Sequence, residues 1–93
     1  MEIKGIKEAA AVTKGLKVGD RLYVQISLDF ETGELYTNVH SDENSYSDYH
    51  DNNIWTICTT QRGMSEETIM ARIKEVSFLR EKALEAEDGL IEP

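Results

Sequence analysis

The chain has 93 residues, enough for one domain with a modest core. Eighteen acids against ten bases give a net charge of −8, the wrong sign for holding nucleic acid or an anionic membrane through bulk charge. The 40% hydrophobic content is too high for a disordered tail, and the single cysteine, Cys58, excludes an internal disulfide and a disulfide-stapled secreted scaffold.

No apolar run approaches the roughly 20 residues needed to span a bilayer. The start, Met1-Glu2-Ile3-Lys4, lacks the charged-then-apolar pattern of a signal peptide. A cytoplasmic protein, near full length and forming a single domain over 1–93, is the expectation.

The first element falls at residues 3–14. Ile3, Ile6, Ala9, Ala10 and Val12 recur at spacings of three and four, which favours a helix, and Gly15 is a natural stop. Gly5 weakens the first turn, so the segment can begin extended.

From Leu22 to Phe30 the pattern changes to period two. Leu22, Val24, Ile26, Leu28 and Phe30 alternate with Tyr23, Gln25, Ser27 and Asp29, which predicts a strand with one buried and one wet face. Glu31-Thr32-Gly33-Glu34 is a short glycine-bearing connection, so Leu35 to His40 should return antiparallel. Leu35, Thr37 and Val39 then face one side, and Tyr36, Asn38 and His40 the other. Residues 41–52 contain no aliphatic side chain and read as a long loop of the kind that carries function. Asn53 to Thr60, rich in β-branched and aromatic residues, is the third strand.

The final helix is predicted over about 65–88. Ser65 is its cap, Glu66 and Glu67 complement the positive end of its dipole, and Met64 and Ile69 form a hydrophobic staple. Ile69, Ile73, Val76, Leu79 and Ala83 make its buried stripe, and Gly89 ends it with Leu90 folding back onto Leu84. Glu85, Glu87 and Asp88 oppose the dipole at that end, so the last turn should fray. The predicted fold is α+β in the order α-β-β-β-α. It is a three-stranded antiparallel meander with the helices packed on one face.

Charge is distributed unevenly. Residues 1–21 carry a net +2, residues 62–93 a net −3, and residues 22–61 hold no lysine or arginine at all. That stretch carries seven acids: Asp29, Glu31, Glu34, Asp42, Glu43, Asp48 and Asp51. A one-signed field repels nucleic acid and attracts basic protein surfaces. Tyr23, Tyr36, Tyr46, Tyr49 and Trp55 lie among the acids, and rings supply the desolvated contact area that protein interfaces use. The alternative is that the acids only keep a small domain soluble.

Two chemical readings compete with a binding role. His40, Asp42, Asp48, His50 and Asp51 fall within twelve residues, a donor set that suits zinc or manganese. Their spacing matches no metal motif, and a calcium loop read from Asp42 lacks its glycine and its closing glutamate. Cys58 lies in a strand, where a lone cysteine behaves as a small hydrophobe. The chain also has no G-x-S-x-G elbow, H-E-x-x-H pair or glycine-rich phosphate loop. The expectation is a protein that is not an enzyme and needs no cofactor.

The helix–three-strand–helix order, with Gly63-Met64-Ser65 entering the last helix, resembles a double-stranded-RNA-binding domain. That family places lysines at the start of this helix to span phosphates. Glu66 and Glu67 stand there instead, so the resemblance is one of topology and argues against RNA. Small size, net acidity, acids interleaved with tyrosines and no enzyme signature together resemble a class. This class is the small phage- or mobile-element-encoded inhibitors, including anti-CRISPR proteins and other DNA mimics.

That resemblance implies a non-enzymatic protein that occupies the nucleic-acid groove of a basic partner. Asp29, Glu31, Glu34, Asp42, Glu43, Asp48 and Asp51 would stand in for phosphates, with Tyr46 and Tyr49 as anchors. The runner-up is a homodimer or larger homo-oligomer that uses an exposed sheet face of Tyr23, Gln25, Tyr36 and His40. A metal-dependent activity at His40 and His50 is third.

Overall fold

Val24, Ile26 and Leu28 have no solvent exposure, and they lie on a strand that is paired on both sides. This strand, β1 (Tyr23–Asp29), is the middle of the sheet in a computed structural model that describes residues 2–17, 19, 21–41, 53–61 and 63–91. Before it comes α1 (Ile6–Lys14), and after it follow β2 (Leu35–His40), β3 (Ile54–Thr60) and α2 (Glu66–Ile91). The fold is the expected α+β arrangement in α-β-β-β-α order.

The strand order is β2-β1-β3, which corrects the meander. Both outer strands are antiparallel to β1, so β2 and β3 run parallel to each other with β1 between them. Strands so related need a connection of roughly a dozen residues or more, whereas a meander needs only a tight turn. The thirteen residues between His40 and Ile54 fit the first case.

Central placement also changes the faces of β1. The side expected to be wet holds Gln25 at 3% exposure and Ser27 at 6%. Flanked on both edges, these short polar side chains are screened by neighbours and bond among themselves. Leu22, at the strand's start, is exposed, and Phe30 is only half-buried.

The β1–β2 turn is built by local chemistry. Gly33 has φ +78, where a side chain would be strained, and its N–H donates to the Asp29 carbonyl at 2.8 Å. Asp29 N–H donates to the Glu34 carbonyl at 2.9 Å. Asp29 Oδ1 accepts from the backbone N–H of Glu31 at 2.8 Å and of Thr32 at 3.4 Å, an Asx-type closure.

The N-terminal segment does begin extended. Lys4 bridges Glu34 in parallel, and Gly5 at φ +91 then turns the chain into α1. On α1 the buried residues are Ala9, Ala10 and Thr13, while Val12, one of the apolar residues whose spacing predicts the helix, is 37% exposed. Thr13 can be buried because its hydroxyl is satisfied both as donor and as acceptor. It donates to the Ala10 carbonyl at 2.8 Å and accepts the Met64 N–H at 2.9 Å, which ties α1 to the approach of α2.

Ser65 caps α2 as expected, its Oγ accepting the Thr68 N–H at 3.1 Å. Met64 and Ile69 both pack on the core. Ile69, Ile73 and Val76 are buried against Val24, Ile26, Leu28 and Ile57, with Ala9 and Ala10 closing the other side, so both helices cover one sheet face. The stripe stops there. Leu79 is 52% exposed and Ala83 is exposed, because the body beneath α2 ends before them. Nor does Gly89 end the helix, which continues to Ile91; a glycine costs only about 1 kcal/mol in a helix and does not compel a stop.

Candidate functional site

Of the nine residues proposed for partner binding, the structure describes Asp29, Glu31 and Glu34. Asp42, Glu43, Tyr46, Asp48, Tyr49 and Asp51 lie outside the described residues, as does His50.

The three described acids share one end of the sheet because the β1–β2 turn gathers them. Their employment differs. Asp29 is committed to closing the turn. Glu31 accepts a bond from Asn53 Nδ2 at 3.3 Å, which joins the turn to the entry of β3. Glu34 accepts the Tyr36 hydroxyl at 3.2 Å. The bond to Glu34 comes first among the causes that hold the Tyr36 hydroxyl above its ordinary pKa. Desolvation and the nearby charges of Glu34 and Asp29 add to it.

The field is one-signed along the chain but not in space. Lys4 is brought to Glu34 by the parallel bridge. Lys4, Glu8 and Glu34 line an open groove of about 340 Å³ between α1 and β2, floored by Gly5, Ala9, Leu35 and Thr37. Arg80 of α2 stacks over the Phe30 ring with its guanidinium carbon 4.6 Å from the centroid, which anchors the turn to the helix. Sequence position hides both cations, since they come from segments on either side of the lysine-free stretch.

The other face of the sheet carries a polar ladder that sequence reasoning missed. Gln25 Nε2 donates to Thr56 Oγ1 at 2.8 Å, which leaves Gln25 Oε1 to pair with His40 Nε2 at 3.0 Å. Thr56 Oγ1 and Ser27 Oγ are 3.4 Å apart. In sequence only the alternation of Gln25 and Ser27 along β1 is visible; Thr56 comes opposite Ser27 through the pairing of β3 with β1. The sheet face offered as an exposed interface is therefore partly spoken for, Gln25 being buried and bonded at both ends of its amide.

On the core side, β3 bulges opposite Ile26 and Ser27, which lets Ile57 join the core beside Cys58. Arg72 Nε donates to the Ile57 carbonyl at 3.1 Å, and its Nη1 pairs with Glu75 at 2.7 Å. Cys58 Sγ lies 3.7 Å from Met64 Sδ. Burial pushes its thiol up to about 11, with the Arg72 charge opposing the shift. Such a thiol is a packing group and a poor nucleophile near neutral pH.

Among the described residues no three His, Cys, Asp or Glu side chains cluster to hold a metal ion, and no helix is long and apolar enough to cross a membrane. No family model, curated protein or solved structure matches this chain.

Proposed function

We propose that this chain is a non-enzymatic acidic protein that binds a basic protein surface. In its sharp form it is a nucleic-acid-mimic inhibitor, of the kind anti-CRISPR proteins represent, acting in the cytoplasm. The observation that carries the reading is the absence of any lysine or arginine from residues 22–61 against seven acids. Solubility alone does not require that separation of signs, since mixed charges serve it as well. The β1–β2 turn supports the reading locally, because it gathers Asp29, Glu31 and Glu34 at one end of the sheet. A basic surface meeting such a field gains on-rate from steering, and the tyrosines then supply contact area.

The test is capture from a lysate on immobilised protein, with and without added duplex DNA or RNA. Expected partners are nucleic-acid-binding proteins that either nucleic acid displaces. Capture should weaken steeply with salt, since exposed charges are screened over about 8 Å at physiological ionic strength. Reversing Asp42, Glu43 and Asp48 to lysine should slow association much more than it speeds dissociation. Reversing the exposed Glu2, Glu8 and Glu81 instead changes net charge equally from outside the stretch. If both triple variants lose capture alike, net charge alone is responsible and the mimic reading fails.

A further inference from the structure

We propose that the free edge of β2 pairs antiparallel with the same edge of a second copy of this chain, about a two-fold axis at Asn38, so that the two sheets become one. The inference stands apart from the partner reading, since it rests on backbone groups of β2 and not on the acids.

The hydrogen-bonding pattern fixes which groups are free. The Asp29 N–H donates to the Glu34 carbonyl, so Glu34 faces β1, whereas the Leu35 N–H donates outward to the Lys4 carbonyl at 3.0 Å. Backbone groups of a strand alternate between its two edges. Tyr36, Asn38 and His40 therefore bond towards β1, and Thr37 and Val39 point their N–H and C=O away from it. Lys4 covers only the first step of this outer edge, for Gly5 at φ +91 then turns the chain into α1. Among the described residues no backbone partner meets Thr37 or Val39 there.

The two edges of the sheet are treated differently. β3 is bulged against β1, and its Ile57 carbonyl accepts from Arg72 Nε of α2. A bulge and cover from a helix keep an edge from pairing. β2, Leu-Tyr-Thr-Asn-Val-His, keeps an unbroken register with β1 and has no charge, proline or glycine. It also leaves Tyr36 44% and Val39 52% exposed.

Composition selects the occupant. An open ladder takes another strand, and a neutral edge has no charge with which to choose a foreign one. Its own copy fits it position by position. With Asn38 opposite Asn38 of the second copy, Thr37 faces Val39 and Val39 faces Thr37, and each facing pair exchanges both its N–H···O bonds. β-branched side chains then meet on the face that bears α1. On the other face amide meets amide, and each Tyr36 comes opposite a His40. The pairing runs from Tyr36 to His40, where β2 ends, so it stops short of the part that Lys4 covers. Although each chain carries −8, no charged residue lies in that span. The axis closes the contact and uses the open edge of both copies, so assembly stops at a dimer.

Amide hydrogen exchange of the full chain at low and high concentration, beside sedimentation equilibrium, tests this. The mass should rise from 10.6 kDa towards twice that value. At low concentration Thr37 and Val39 should exchange fast, while Tyr36 and Asn38, bonded to β1, are protected. Where about nine-tenths of the chains are paired, exchange at Thr37 and Val39 should slow about tenfold, since only unpaired chains expose them. Val39→Pro removes an outward N–H that the sheet does not use, so it should keep the parent circular dichroism spectrum and stay monomeric. Val39→Ala keeps that N–H and should still pair. In a Cys58→Ala background, Asn38→Cys should oxidise to a covalent dimer and Tyr36→Cys should not. A parent chain that stays monomeric overturns the proposal. So does a dimer in which Thr37 and Val39 still exchange fast, or one that survives Val39→Pro. Equal cross-linking of the two cysteine variants overturns the register.

Discussion

Ile26→Ala is the perturbation that most directly probes the assignment of faces on β1. Ile26 has no solvent exposure, sits at the middle of the central strand, and is paired to Thr37 on one side and Cys58 on the other. Truncation to alanine removes three carbons, about 2.4 kcal/mol of transfer free energy at roughly 0.8 per buried methylene. The cavity adds to that. A strand hydrogen-bonded on both edges cannot shift to fill it, so the total should reach about 3–4 kcal/mol, within the range of about 2–5 for such truncations. A domain of this size has only about 5–14 kcal/mol in total. The change should therefore lower Tm by more than about 10 °C.

Val39→Ala is the matched control. Val39 lies on the same sheet face, opposite Val24, yet is 52% exposed at the edge. Its loss should stay below about 1 kcal/mol. Urea unfolding followed by circular dichroism measures both, with an unchanged m-value as the check that only stability has moved. A loss under about 0.5 kcal/mol at Ile26, or equal losses at both positions, would show the burial argument to be wrong.

Two further predictions concern side chains with chemistry of their own. The Cys58 pKa rises on folding from 9.0 to about 11, so between these values the folded chain holds a proton that the unfolded chain has lost. Stability should be fully present below pH 9 and decline as pH climbs through 11, and Cys58→Ala should remove that part of the alkaline slope in pH-dependent denaturation. With His40 engaged by Gln25, stoichiometric zinc should leave Tm unchanged, whereas an upward shift lost in His40→Ala or His50→Ala would establish a metal site.

Period-two alternation made β1 legible, because a buried strand face leaves an unambiguous trace in sequence. The boundaries of β2 follow from the same pattern, and the Ser65 cap from the hydroxyl standing just before a run of helix formers. Strand order was harder, since it depends on which edge β3 joins and alternation is blind to edges. The thirteen-residue connection was the available clue. The α2 stripe was overextended for a related reason: heptad spacing continues through Leu79 and Ala83, but spacing does not reveal where the domain beneath the helix stops. The burial of Thr13 was hidden because it depends on a bond to Met64, 51 residues away.

The acidic site shows how folding and binding divide a set of like residues. Asp29 cannot be charged both with closing the turn and with meeting a partner unless one carboxylate oxygen suffices for each. Oδ1 already holds two backbone amides. Glu34 accepts the Tyr36 hydroxyl, and Lys4 lines the same groove, so the field at this end is not one-signed. Steering is a sum over unopposed charges, and opposed pairs contribute little at a distance comparable with the screening length. The weight of any phosphate mimicry therefore falls on Asp42, Glu43, Asp48 and Asp51, which no cation adjoins in sequence. For this reason the decisive reversal is placed there. The same change at Asp29 would undo the β1–β2 turn and confuse a lost partner with a lost fold.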